Sequence, residues 1–512
     1  MTISRRKLLQ VMGGAGSALA LSRFARAQAA QGNNFLPTRK SLEGYQIPEW
    51  YRDAKFGIWS HWGPQSAIEY GDWYARQMYQ EGTPQYLYHA ETYGHPSKVG
   101  YKDLVNNWKA AKWDPDHLMS LYKKAGAQYF VSMGVHHDNF DLWDSKHTRW
   151  NAVNMGPKRD VVGTWQKAAQ KQGLRFGVSE HLWISYKWWA VSHDADKTGP
   201  LAGVAYDGID PQYADLYHDA DCARFADKLD WNDDGIPDSW KRHYVDRITD
   251  LIDKYHPDLL YTDGHLPFED YGLKVVSHLY NVSAQLHGGQ AEAVYTSKDP
   301  TDCAIGTCLL DHERGVSDGI AKNPWQTDTC IGQWHYNRGE KYKTAKKVID
   351  MLTDIVSKNG NLLLNFPLPN SGELDFEEMT VLEGITAWMA VNSEGIYSSR
   401  PWKIYGEGPA TKAKVEAGNF NEDKQKDLTA EDVRFTVKNS NIYAFVMGWP
   451  EKSATVNALG LASEQAPGTI RNVELLGYKG EVKWKQDETA LKIEMPAEKL
   501  SEIGITLKVA MA

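Results

Sequence analysis

Five short apolar runs in this chain end on side chains that can move protons, attack carbon or hold metals. "PDLLYTDGH" (257–265) carries Leu259, Leu260 and Tyr261, then presents Asp263 ahead of a glycine. "KFGIWS" (55–60) runs into His61 and Trp62, and "QYFVSM" (128–133) runs into His136, His137 and Asp138. "RFGVS" (175–179) is followed by Glu180 and His181, and "CLLD" (308–311) by Glu313. Two chemistries suit such a set. Two carboxylates flanking a glycosidic bond cleave it, one attacking the anomeric carbon while the other protonates the leaving oxygen. Alternatively, His61, His136, His137 and Asp263 hold a metal that activates water. Against the metal stands the lack of a compact H-x-H or H-E-x-x-H pattern. Adjacent histidines on extended backbone also point in opposite directions, which is awkward for one ion.

The elements that must position these groups are readable. Further strand candidates are "AVYTS" (293–297), "CIGQW" (330–334) and "NLLLNF" (361–366), making eight. Between strands lie amphipathic stretches. Val245, Ile248, Leu251, Ile252 and Tyr255 recur at helical spacing, as do Ala345, Val348, Ile349, Leu352 and Val356. Alternation of this kind predicts an α/β fold, an irregular (β/α)8-like barrel with little helix between its fifth and seventh strands. Catalytic groups of such a barrel sit at the C-terminal ends of strands, where the polar residues above collect. After a turn-rich link at 400–409 come short alternating runs, 433–439, 442–448, 473–478 and 491–495, which predict a C-terminal β-sandwich. The chain therefore divides into residues 1–30, a catalytic barrel at 31–395 and a sandwich at 396–512, whose role is to cover one flank of the barrel or, as the alternative, to bind sugar.

Residues 1–30 read as a twin-arginine export signal: Arg5 and Arg6, a glycine-interrupted apolar stretch, and small residues at "ARAQA" (25–29). The expectation is a periplasmic or secreted protein with no membrane attachment after signal removal. The whole chain has 57 Lys and Arg against 66 Asp and Glu, a net charge of −9. Removing the signal takes away five basic residues and makes the balance more acidic, which argues against a nucleic-acid partner. Twenty Trp, 27 Tyr and 13 Phe fit either a large core or sugar binding, where flat rings lie on the apolar face of a pyranose. Of four cysteines, Cys303 and Cys308 are close enough in sequence for a bridge, with buried free thiols the alternative. "DWNDDGIPDSWK" (230–241) spaces Asp230, Asn232, Asp234, Ile236 and Asp238 like a calcium loop, although Lys241 stands where a bidentate Glu belongs. A structural Ca2+ and an acidic surface turn are both open readings there.

Several blocks together resemble the α-L-fucosidases of glycoside hydrolase family 29: "KFGIWSHWGPQS" (55–66), "YFVSMGVHHDNFDLWDS" (129–145), "GLRFGVSEH" (173–181), "YHPDLLYTDG" (255–264), "VSKNGNLLLNFPLPNSGELD" (356–375) and "WMAVNSEGIYSSRPW" (388–402). They run in family order from about residue 45 to 410. The resemblance implies an exo-acting retaining enzyme, with no metal or cofactor at the reaction centre and a fucosylated oligosaccharide or polysaccharide as partner. Asp263 matches the family's nucleophile. His61, His136 and His137 match positions that hold fucose hydroxyls, and Trp73 matches an aromatic that contacts the sugar. Asp72 stands where the family more often has Glu. Tyr261 and Trp334 are expected to wall the pocket. "FGVSEH" departs from the tyrosine many relatives carry on this strand, so Glu180 or His181 would take over its contact. Glu313 is the expected acid/base, with Glu180 in reserve, and Asp311 and Arg314 are expected to tune it. The family arginine expected before this region is missing, with Lys298 or Arg314 as stand-ins. Alternatives are an α-L-galactosidase on the same scaffold, a catalytically inactive fucose-binding protein, and a metal-dependent hydrolase.

Overall fold

Most barrel strands are apolar because they are buried on both faces. The computed structural model describes residues 34–512 apart from 305, 414 and 466, so the segment expected to be an export signal lies outside the described residues. Eight parallel strands close on themselves: β1 (Phe56–Ser60), β2 (Tyr129–Val135), β3 (Arg175–Glu180), β4 (Leu259–Thr262), β5 (Val294–Ser297), β6 (Leu309–Glu313), β7 (Trp325–Cys330) and β8 (Gly360–Asn365). Covered strands of this kind need no polar face, which is why most read as continuous apolar runs. Alternate residues point inward. Trp59, Tyr129, Val131, Leu259, Tyr261, Val294, Leu309 and Leu363 fill the interior as one cluster.

Helices cover the outside where the sequence supplies a stripe and a cap. They are α1 (Pro115–Lys124), α2 (Val161–Lys171), α3 (Asp238–Tyr255), α4 (Asp270–Leu286), α5 (Ala345–Ser357) and α6 (Phe376–Asn392). Asp114, Asp160 and Thr344 cap α1, α2 and α5 by accepting a backbone N–H from the first turn. The stripe Val348, Ile349, Leu352 and Val356 of α5 is buried, as its spacing predicts. Between β5 and β6 there is a single four-residue helix, and none lies between β6 and β7. A groove of about 860 Å3 opens there along the outer side of β6 and β7, lined by Leu310, His312 and Trp325. Cys303 and Cys308 form a disulfide beside it, while Cys222 and Cys330 are buried free thiols.

Two expectations need correction. The seventh strand is Trp325–Cys330, with 331–334 in the turn that follows, rather than 330–334. Its inward side chains, Gln326 and Asp328, are polar, so it lacks the apolar signature used to find the others. The stretch 400–409 is mostly strand: β9 (Arg400–Glu407) is the edge of a sheet, where Pro401 removes no needed donor.

Beyond β9 lie β10 (Val433–Lys438), β11 (Asn441–Val446), β12 (Ser453–Val456), β13 (Ile470–Leu475), β14 (Trp484–Gln486), β15 (Leu491–Glu494) and β16 (Ile505–Met511). They form a five-stranded sheet, β13-β16-β11-β10-β9, and a three-stranded sheet, β12-β15-β14. Phe435, Val456, Leu475, Leu491 and Leu507 share the core between them. The other face of the larger sheet meets α5 and α6. Arg434 of β10 pairs with Asp354 of α5 at 2.6 Å, and Trp388 of α6 donates to the Gly504 carbonyl. Among the described residues no helix is long and apolar enough to cross a membrane.

Candidate active site

Inward parity at the ends of neighbouring strands brings four charged or titratable side chains together. Asp263 continues the inward row of Leu259 and Tyr261 one residue past β4. Lys298 sits just beyond β5, Glu313 ends β6, and His181 follows β3. Lys298 Nζ lies 2.5 Å from Asp263 Oδ1 and 2.6 Å from Glu313 Oε2, so one ammonium bridges both carboxylates. Asp263 Oδ2 faces His181 Nδ1 at 3.3 Å and His137 Nε2 at 3.4 Å. The turn after Asp263 needs Gly264: its φ is +102°, and a Cβ there would meet the Trp183 ring at 3.2 Å. The Trp183 indole N–H donates to the Asp263 carbonyl, and the Lys298 N–H donates to the Gly264 carbonyl. These contacts fix the backbone that carries the carboxylate.

Burial and charge push the two carboxyls apart. Burial alone would raise Asp263, but the Lys298 ammonium and the hydrogen bonds from His137 and His181 outweigh it and hold the group well below the usual carboxylate range. Burial dominates for Glu313. Lys298 opposes it, Asp328 and Asp263 repel the charged form, and the carboxyl is raised to about 7. The tuning groups are thus Lys298, Asp328 and Asp263, not Asp311 and Arg314. Arg314 turns away, with its guanidinium over the Trp334 ring at 5.2 Å and Glu422 at 3.6 Å. Of the two stand-ins for the missing arginine, the structure places Lys298 against the carboxylates.

A ring of imidazoles lines the rest of the mouth. His136 and His137 both face it, their rings 4.4 Å apart, because β2 ends at Val135 and the pair lies on a turn rather than on extended backbone. The expected opposition of their side chains therefore does not occur. Each ring is fixed by a partner that selects its tautomer. His137 Nδ1 donates to the His181 carbonyl at 2.6 Å, His136 Nδ1 accepts from the Gln65 amide at 3.0 Å, and His335 Nδ1 donates to Asp72 at 2.7 Å. Burial holds His61, His136 and His181 below the ordinary histidine range, His181 at about 4, so these rings are neutral near pH 7. A neutral ring offers one donor and one acceptor, which suits an alcohol. Buried and without a partner are His61 Nδ1, His181 Nε2 and His335 Nε2. Among the described residues, the sets His61–His136–His181, Asp72–His136–His335 and His137–His181–Asp263 bring ligand atoms within 4.8 Å and are the groups that could hold a metal.

Aromatic rings close the walls. Trp73 stands 5.8 Å from His137, and Trp334 stands 4.9 Å from His61 and 5.5 Å from Trp59. Tyr261 forms part of the floor, with Lys298 over its ring at 5.5 Å and its hydroxyl donating to Asp328 at 2.9 Å. Asp328 in turn hydrogen-bonds Asp311, which burial and that neighbour raise well above the usual range. Residues 419–420 of the link between β9 and β10 reach back to this rim: Asn419 Oδ1 accepts from the Glu313 N–H, and the Phe420 N–H donates to the Glu313 carbonyl.

Glu180 is not in the site. It has the opposite parity to His181 and faces α3, where it accepts from Tyr244 and from the Leu182 N–H. The contact with Asp263 expected of Glu180 or His181 belongs to His181. Nor does the calcium-like loop gather its side chains. Asp230 pairs with Lys228, Asn232 accepts from Lys187, Asp238 takes Tyr271 and Arg242, and Ile236 is buried. Lys228, Lys187 and Arg242 thus contact oxygens of Asp230, Asn232 and Asp238, and Lys241 stands in place of the bidentate Glu. His335, Gln65, Trp183 and Asp328 were not singled out from the sequence. Only His335 carried a signal, its place beside Trp334.

The alpha-L-fucosidase family model matches residues 22–394, and the model of the alpha-L-fucosidase C-terminal domain matches residues 425–510. Rat tissue alpha-L-fucosidase is 25% identical over 496 residues, covering 93% of this chain and 91% of that protein. Human tissue alpha-L-fucosidase is 26% identical over 482 residues, covering 90% and 88%. The solved structure of Thermotoga maritima alpha-fucosidase in complex with fucose superposes with a TM-score of 0.69 at 25% identity, over 93% of this chain and all of that one. Barrel, appended sheets, mouth chemistry and these matches agree: the chain belongs to the alpha-L-fucosidase family of glycoside hydrolases.

Proposed function

We propose that the protein is an exported, exo-acting enzyme that removes terminal α-L-fucose from glycans with retention of configuration. One observation carries the retaining mechanism. Asp263 and Glu313 share one ammonium, with contacts of 2.5 Å and 2.6 Å, so their bridged oxygens are at most about 5 Å apart. Retaining glycosidases hold their carboxyls at about 5–5.5 Å, whereas inversion needs ~6.5–9.5 Å to admit a water between sugar and base.

The chemistry follows from the two environments. Asp263 stays ionised and attacks the anomeric carbon. Glu313, raised to about 7 and so still partly protonated at neutral pH, gives its proton to the departing oxygen. A covalent fucosyl ester forms on Asp263 as the C–O bond to the leaving group breaks. Glu313, now a carboxylate, takes a proton from water, which attacks the same carbon and frees Asp263. The neutral imidazoles of His61 and His136, together with the His137 ring, bind and orient the hydroxyls, Trp73 and Trp334 wall the ring, and no metal is required.

The experiment is a trap. A 2-deoxy-2-fluoro fucosyl fluoride should accumulate a covalent adduct whose labelled peptide maps to Asp263, and NMR should show the product forming first as the α-anomer. A β-anomer, or turnover with no adduct at Asp263, would overturn the assignment. Full activity after exhaustive chelation is expected, and its loss would revive the metal reading. Comparing aryl α-L-fucoside with aryl α-L-galactoside decides between the two sugars. Finding the mature protein in the cytoplasm would remove the export reading.

A further inference from the structure

Trp231 is the only tryptophan among the exposed large apolar side chains of the described residues, 46% exposed in a protein that shelters nearly all its others. An exposed indole is costly to leave in water, and this one stands at the rim of the mouth. Its ring lies 5.8 Å from Trp73, 5.5 Å from His137 and 6.1 Å from Trp183. His137 also faces Asp263, and Trp183 holds the Asp263 carbonyl. The indole is therefore one ring away from the reacting centre while remaining open to solvent.

The loop that carries it is fastened to the elements beside it. Asn232 accepts from Lys187 at 2.7 Å. Asp233 accepts from the Phe268 N–H at 2.7 Å and faces His265, two residues past Asp263, at 3.1 Å. Hydrogen bonds and ion pairs flanking a solvent-facing ring fix its place without burying it. That is the arrangement a binding platform needs, because little ordering remains when a ligand arrives.

We propose that Trp231 is the platform for the leaving group, stacking on the apolar face of the neutral sugar to which the fucose is attached. This rests on the exo-fucosidase reading above. If the terminal fucose fills the pocket, whatever projects through the mouth is the leaving group, and Trp231 is the open aromatic surface it meets. The flat C–H face of a pyranose fits an indole. The oxygens of Asp230, Asp233 and Asp234 around it suit hydroxyl donors and repel sulfated or carboxylated residues.

Two substrates separate this from a structural role. α-L-Fucosyl fluoride has no sugar to stack, whereas neutral disaccharides with fucose α-1,2-, α-1,3- or α-1,4-linked to a hexose do. Trp231→Ala should lower kcat/KM for the best-cleaved disaccharide about tenfold, with fluoride hydrolysis unchanged within about twofold. Trp231→Tyr should recover most of the loss. Equal losses on both substrates would make Trp231 a support of the fucose pocket, and no loss on either would make it a bystander. Both results overturn the proposal, as does cleavage of fluoride but of no disaccharide by the unmodified enzyme. Failure of the unmodified enzyme on fluoride would instead sink the fucosidase reading.

Discussion

Lys298 contacts Asp263 from the adjacent strand end at 2.5 Å, and that contact gives the carboxylate its character. Asp263 is buried deeply enough for desolvation to favour its neutral form, yet a nucleophile must be charged. The ammonium settles the competition, aided by two imidazoles. Asp263 and Glu313 in turn outweigh burial and keep Lys298 protonated. The charges are mutually sustaining, so removing one should disturb the others.

Replacing Lys298 by Met should therefore lower kcat/KM by about 10²–10³-fold, the scale of losing one preorganised charge at a reacting centre. The same change removes a cation that lowers both carboxyl pKa values, so both limbs of the pH profile should move to higher pH. Lys298→Arg restores the charge and should restore most of the profile. A fall in rate with unshifted limbs would mean that Lys298 only supports the fold.

Glu313 gives the basic limb. It acts as an acid, its carboxyl titrates at about 7, and activity should fall as pH rises through that value. Asp263 titrates well below the ordinary range, so the acidic limb should lie below about pH 4. Glu313→Gln should abolish the basic limb and slow disaccharide hydrolysis by about 10²–10⁴-fold. Fucosyl fluoride, whose leaving group needs no proton, should be much less affected in its first step. Pre-steady-state fluoride release measures this directly.

Most of the barrel was legible because burial on both faces makes a strand apolar, and seven of the eight runs sit where the apolar pattern puts them. The eighth was misplaced by its polar interior at Gln326 and Asp328, where hydrogen bonding replaces apolar packing. Asp263 was legible as the polar end of an apolar strand. Glu180 and His181 show the limit of that reasoning. They are adjacent, so one of them must face outward, and the strand end alone does not say which. His335 and Trp231 sit on loops, where no periodicity says what comes near.

The parity of β3 leads to a paired test. His181→Phe removes a donor to Asp263 and should cut kcat by about tenfold or more. Glu180→Gln should leave the activity of the folded enzyme within about threefold while lowering stability by about 1–3 kcal/mol, because one of its two buried donors loses its acceptor. Kinetics beside urea unfolding would separate the two. A larger kinetic loss for Glu180→Gln would return it to the site.

Beneath the mouth, Asp311 and Asp328 make a second prediction about charge. Each accepts one donor, Gln326 Nε2 for Asp311 and the Tyr261 hydroxyl for Asp328, which leaves one oxygen of each with only the other carboxyl to bond. Two buried carboxylates this close cannot both ionise, so they share one proton, carried by Asp311, whose pKa burial and Asp328 raise. Asp311→Asn keeps a neutral side chain that still donates to Asp328, and should leave the rate and profile nearly unchanged. Asp328→Asn removes the anion that helps keep Glu313 protonated, and should move the basic limb to lower pH while the Tyr261 hydroxyl keeps an acceptor. The asymmetry is what matters. If Asp311→Asn shifts the limb and Asp328→Asn does not, the proton lies on Asp328, and Asp311 is the anion that helps keep Glu313 protonated.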